Sequence, residues 1–124
     1  MKLIVTMVFV FTVGILISGS TNVEARDFYC NSSGHSFSSQ WTETKTKSAS
    51  TANYPSNYIT LKYGYNTTLI NEDYAHAKAL NTNLQARVIN NSGTFTSTVN
   101  LYSTWAKIEV THNGTYIQYG AVNY

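Results

Sequence analysis

The feature that most constrains this chain is apolar alternation with a period of two. Along Trp105–Thr111, Ala106, Ile108 and Val110 fall on one side, and Trp105, Lys107, Glu109 and Thr111 on the other. Successive strand side chains point to opposite faces, so this pattern predicts a half-buried strand. Tyr58–Tyr65 repeats it, with Ile59, Leu61 and Tyr63 against Thr60 and Lys62. Leu84, Ala86 and Val88 alternate with Gln85 and Arg87, and Ile117, Tyr119 and Ala121 share a face near the C-terminus. Phe95, Ser97, Val99 and Leu101 alternate more weakly. Glu72–Leu80 reads two ways. Asn71 would cap a helix with acids in its first turn. Tyr74, His76 and Lys78 also alternate with three alanines, and a strand is the favoured reading. Asn53–Asn57 with Pro55, Asn90–Gly93 and His112–Gly114 are turn signals, and the Asn113-Gly114 pair favours a tight hairpin. The expected fold is all-β: a small antiparallel β-sandwich or barrel of about six or seven short strands.

Three segments precede or make up that fold. Residues 1–25 read as a cleaved signal peptide: Lys2, then an apolar run Leu3–Ile17 too short for a membrane helix, then Val23-Glu24-Ala25 with cleavage after Ala25. The expected product is a secreted, extracellular protein with no transmembrane helix. Residues 26–56 read as a polar, Ser/Thr-rich N-terminal extension whose large apolar anchors are Phe37 and Trp41. It would form an edge strand or a flexible arm, because it has too little apolar surface to make a core alone. Residues 57–124 read as the β-sandwich domain.

Composition narrows the function. Charged residues are 11% of the chain, against about 25% in typical soluble domains. The net charge of +2 provides no polybasic field, so nucleic-acid binding is not expected. From Arg26 onward there are 11 Ser, 14 Thr, 12 Asn and all ten tyrosines. Asn31, Asn66, Asn90 and Asn113 head glycosylation sequons, which so many Asn, Ser and Thr residues generate by chance. Cys30 is the single cysteine, so an intramolecular disulfide is excluded, and its use in one would be intermolecular, as in a homodimer. A Cys30–His35 nucleophile pair would lie in the polar extension. Glu72 and Asp73 are adjacent and would point apart on a strand, which does not suit paired-carboxylate chemistry. Glu72 and His76 would share a helix face, but two ligands do not make a metal site. No enzyme activity, metal or cofactor is expected. The stretch Ser36–Thr51 also has the polar composition of a pore-toxin hairpin, but Phe37 and Trp41 are too few for a lipid-facing band.

The order of several short motifs resembles the lactococcin-972-type bacteriocins. Ala86-Arg87-Val88-Ile89-Asn90-Asn91 precedes a variable Ser/Thr/Gly stretch and then Trp105-Ala106-Lys107-Ile108-Glu109-Val110. Gly64-Tyr65 and Tyr74-Ala75-His76 fall upstream where that family has Gly-Tyr and Tyr-His pairs, and a Tyr-rich strand closes the chain at Tyr124. The likeness covers about residues 63–124 and departs from the family in the 26–56 extension, Cys30 and a lower histidine count before Ala86. The resemblance implies a secreted antimicrobial β-sandwich that binds the Gram-positive cell envelope, with lipid II as its target, and blocks septum or wall synthesis without catalysis. It places Tyr65, Tyr74, His76, Trp105 and Lys107 at the binding surface, with Lys107 for phosphate and the aromatics for sugar stacking. The alternative is a non-toxic secreted adhesin or matrix component binding a glycan.

Overall fold

The computed structural model describes residues 27–50, 52–100 and 103–123. The expected leader, Leu101 and the terminal Tyr124 lie outside the described residues. Eight strands are described: β1 (Phe28–Asn31), β2 (Trp41–Ser48), β3 (Tyr58–Asn66), β4 (Glu72–Ala79), β5 (Leu84–Asn90), β6 (Gly93–Thr96), β7 (Ala106–Thr111) and β8 (Gln118–Asn123). They form two antiparallel four-stranded sheets, ordered β1-β8-β5-β6 and β2-β3-β4-β7, which pack as a sandwich. Among the described residues no helix is long and apolar enough to cross a membrane.

The alternating positions supply the core. Ile59, Leu61 and Tyr63 of β3 meet Ala75, Ala77 and Ala79 of β4 across the ladder, all turned inward and buried. Ala106 of β7 continues the row. Leu84, Ala86 and Val88 of β5 and Tyr119 and Ala121 of β8 face them from the other sheet. Glu72–Ala79 is therefore a strand. A helix would have placed the three alanines on different sides, whereas the strand stacks them on the one face that must be buried.

The polar segment before Pro55 supplies an outer strand to both sheets. β1 pairs only with β8, and β2 pairs only with β3. β2 is thus the edge strand that was one of its two expected forms. Its alternating Thr and Lys or Glu side chains suit an edge, where charge discourages further strand addition.

The Asn113-Gly114 pair does not close a hairpin. β7 pairs with β4 in one sheet, while β8 pairs with β1 and β5 in the other. The turn is held from both sides instead. The His112 backbone N–H donates to Asn71 O at 2.8 Å. Asn113 O accepts from Asn91 N at 3.0 Å, and its side-chain amide donates to Ser92 Oγ at 2.8 Å. Gly114 has φ +110°, which lets the chain bend at this crossing close against the Asn91 side chain. The strand after Asn90–Gly93 is also shorter than its alternation suggests. β6 ends at Thr96, because buried Ser97 turns its hydroxyl to the backbone, accepting from Ala86 N and donating to Thr98 O.

Gly64 is the tightest point of the second sheet. A Cβ there would lie 2.1 Å from Trp41 O and 3.0 Å from Thr42 Cα, both backbone atoms of β2. Backbone cannot rotate away as a side chain can, so β2 would have to part from β3. Gly64→Ala is expected to lower stability by about 2 kcal/mol, read as an earlier midpoint in chemical denaturation at unchanged m-value.

Candidate functional site

The outer face of the β2-β3-β4-β7 sheet gathers most of the sequence-predicted site. Register places Thr42, Gly64, Tyr74 and Glu109 side by side across it, and Thr44, Lys62, His76 and Lys107 in the neighbouring row. A third row holds Thr46, Thr60 and Lys78, with Trp105 just before β7. Tyr74, His76, Trp105 and Lys107 thus share one surface. The Tyr74 hydroxyl hydrogen-bonds Thr42 Oγ1 two strands away, across the row in which β3 contributes Gly64.

The rings form a chain along this face. Tyr74 and His76 have centroids 5.1 Å apart, and His76 and Trp105 6.4 Å. Lys78 Nζ stands 4.7 Å from the Trp105 ring centre, a cation–π contact. Beside Tyr74 and His76 runs a groove of about 470 Å³, walled by Gln40, Trp41, Thr42, Lys62, Asn66 and Glu109 among others. Its polar groups are neutral amides and hydroxyls, one lysine, one imidazole and one carboxylate. That set can accept and donate hydrogen bonds to a polyhydroxylated ligand and offer Lys62 to an anion. Tyr74 is only 6% exposed, so stacking surface falls to the partly exposed rings of His76 in the groove and Trp105 beside it.

Tyr65 is placed differently from the other four. It lies opposite Trp41 and Asp73, on the inward side of β3, and is only 3% exposed. Its ring meets Phe37 edge-on at 5.0 Å and His112 at 4.8 Å, so it forms groove wall and core. Lys107 is exposed beside His76 but does not line the groove. The groove residues that sequence reasoning did not place at the binding surface are Gln40, Trp41, Thr42, Lys62, Asn66, Thr68 and Glu109. Lys62 was reachable from its parity with Thr60. Trp41 was not, because nothing local pairs residue 41 with residue 65.

Burial lowers the pKa of His76 from the ordinary 6.5, with Lys107 and Lys62 acting the same way and Glu109 opposing them. Glu109 Oε2 lies 3.4 Å from His76 Nε2. The groove therefore carries a neutral imidazole at neutral pH.

Two further clusters hold titratable groups. Asp73 is fully buried and accepts from Asn90 Nδ2 at 3.0 Å, and its other oxygen lies 2.7 Å from His112 Nδ1. The His112 ring rests against Phe37 at 4.3 Å. This cluster fastens the β7–β8 crossing to both sheets. At the opening between β1 and β2, Glu43 accepts from the Tyr63 hydroxyl at 2.8 Å and meets His35 Nε2 at 2.9 Å. The Tyr63 hydroxyl, and secondly His35, hold the Glu43 carboxyl below its usual range. His35 stacks flat on Trp41 at 3.7 Å. Burial pushes the nearby Cys30 thiol up, which favours the protonated form over the nucleophilic thiolate. Among the described residues no three His, Cys, Asp or Glu side chains converge as a metal site.

The chain matches no protein-family model, no curated protein and no solved structure.

The His76 shift has a stability consequence. Its unfolded pKa, near 6.5, lies above the folded one, so the unfolded chain takes up the proton first. The contribution of a neutral buried His76 is therefore complete above the ordinary histidine range and is lost as pH falls below about 6.5. Stability measured by urea unfolding should fall more steeply from pH 7 to pH 5 in the native chain than in His76→Gln. An NMR titration should place the His76 midpoint below 6.5.

Proposed function

We propose that this protein is a secreted, bacteriocin-like protein that binds the envelope of Gram-positive cells and arrests wall or septum synthesis by occupying its ligand. The observation that carries the reading is the outer face of the β2-β3-β4-β7 sheet. There Tyr74, His76 and Trp105 form an aromatic row flanked by Lys62, Lys78 and Lys107, beside a groove lined with neutral polar groups. Aromatic faces suit sugar rings, and the lysines suit phosphate. A sugar–phosphate headgroup needs both, side by side. The motif order shared with lactococcin-972-type bacteriocins makes lipid II the ligand of choice. The action is binding rather than turnover. The surface holds no nucleophile beside a base, and its acid, Glu109, is engaged with His76. A secreted destination rests on the leader pattern of residues 1–25.

The test is a growth panel of Gram-positive strains treated with purified chain lacking residues 1–25. Growth arrest with intact membranes, failed septa and relief by added lipid II is the expected result. Rapid depolarisation would overturn it in favour of a pore. Cell or glycan binding without growth arrest would overturn it in favour of an adhesin. Trp105→Ala and Lys62→Ala should each weaken cell binding by about three- to tenfold, measured by pull-down on whole cells, with unchanged circular dichroism.

A further inference from the structure

The turn between β3 and β4 is built unlike the others. Thr67, Thr68, Leu69, Ile70 and Asn71 are exposed in succession, and at the tip Leu69 is 91% and Ile70 52% exposed. The loop is shaped rather than slack: Asn66 Oδ1 accepts from Thr68 N at 3.0 Å, and His112 N donates to Asn71 O. Two aliphatic side chains are thereby held away from the core of a chain poor in aliphatics. A protein partner is a poor explanation, because a stable docking patch needs roughly 800 Å² from each side. A narrow tip with two apolar side chains suits insertion into a bilayer interface instead.

The surroundings point the same way. Four connections meet at this end of the sandwich: Ser32–Gln40, Thr67–Asn71, Asn91–Ser92 and His112–Ile117. None contains Lys, Arg, Asp or Glu. Bringing the tip onto lipid would therefore desolvate no such charge within the four connections; the first acid beyond the tip is the half-buried Glu72 at the start of β4. Tyr116, half exposed in the same set, has the amphipathic ring that settles at a membrane–water boundary. Thr68, beside the tip, is also a wall of the groove that holds Lys62 and His76. A tip seated in the interface would hold the groove at headgroup level. The opposite end carries Asp27, which accepts from Asn123 N and whose carbonyl takes Lys47 Nζ, and its apolar residues Tyr54, Tyr58 and Leu80 are each about half covered, so none projects as Leu69 does.

We infer that Leu69 and Ile70 form a shallow membrane anchor and that the partner of this end is a lipid bilayer surface. The inference rests on the envelope reading for which membrane is met, but not for the insertion itself. Headgroup-level ligands are then met in two dimensions, with the groove already at their height. Insertion reaches only the interface, because two side chains are far shorter than the roughly 30 Å hydrocarbon layer.

The test is cosedimentation with vesicles of phosphatidylcholine and phosphatidylglycerol, free of lipid II, using chain lacking residues 1–25. The native chain should bind without releasing a trapped dye. Leu69→Ser/Ile70→Ser should lower the partition coefficient at least about tenfold while keeping its circular dichroism. Leu69→Trp should retain binding and show emission quenched by lipids brominated near the headgroup. No binding by the native chain, or equal binding by the double variant, would overturn the inference. Release of dye would overturn the shallow geometry. Failure of this proposal and failure of the envelope reading are separable. Vesicle binding lost in the double variant without any growth arrest would retain the anchor and sink the antimicrobial function. Growth arrest without vesicle binding would do the reverse.

Discussion

The sandwich depends on a thin centre. Ala75, Ala77 and Ala79 of β4, with Ala106, Ala86 and Ala121 around them, are at most 2% exposed. Short side chains there let the facing sheets close on Leu84, Val88, Ile59 and Leu61. The large rings are displaced toward one rim, where Tyr63, Tyr119 and Trp41 pack with centroids 4.8 to 6.0 Å apart. This arrangement gives the N-terminal segment its place. Trp41, an isolated aromatic in a polar stretch, covers that rim and brings β2 onto β3. The close approach demands Gly64, and in the row that Gly64 shares with Tyr74 and Thr42 the two hydroxyls meet across β3. One packing constraint thus runs from the core to the candidate binding face.

Most hydrogen-bonded polar groups lie at the ends and edges of this core, although the Tyr119 hydroxyl and Trp41 Nε1 are buried without a partner. Asp73 is fully buried at the end of the alanine row. Removing either of its partners would leave a buried carboxylate short of hydrogen bonds, a costly condition. Asn90 comes from one sheet and His112 from the crossing between sheets, so satisfying one acid ties three elements together. Asn57 does similar work at the far end, donating to Thr82 and accepting from Asn81 N. With the ends so fastened, the outer face of β2-β3-β4-β7 is a rigid platform. Rings and lysines presented on strands hold their spacing better than the same groups on loops.

The alternation made the core legible residue by residue: Ile59, Leu61, Tyr63, Ala86, Val88, Ala106, Tyr119 and Ala121 are all buried where their parity placed them. Parity also put Tyr74, His76 and Lys107 on outward faces. For Tyr65 the resemblance and the parity disagree: the resemblance puts it at the binding surface, while its position two residues beyond Tyr63 puts it on the inward side, where it is buried. The Asn113-Gly114 signal was read correctly as a turn and wrongly as a hairpin. Turn chemistry is local, but which sheet receives the next strand is settled by what the turn's neighbours bond, here Asn71 on one side and Asn91 on the other.

By itself, the sequence determined the strand class, the inward and outward assignment of most side chains, and the positions of the main turns. These follow from a two-residue period and from Gly, Pro and Asn chemistry, both readable within a few neighbours. Only the tertiary structure decided that the polar N-terminal segment edges both sheets, that Trp41 walls the groove beside Tyr74, and that four uncharged connections gather around Leu69. Those relations join residues tens of positions apart. Strand pairing is non-local, and a strand's pattern says which way its side chains face but not which strand lies beside it.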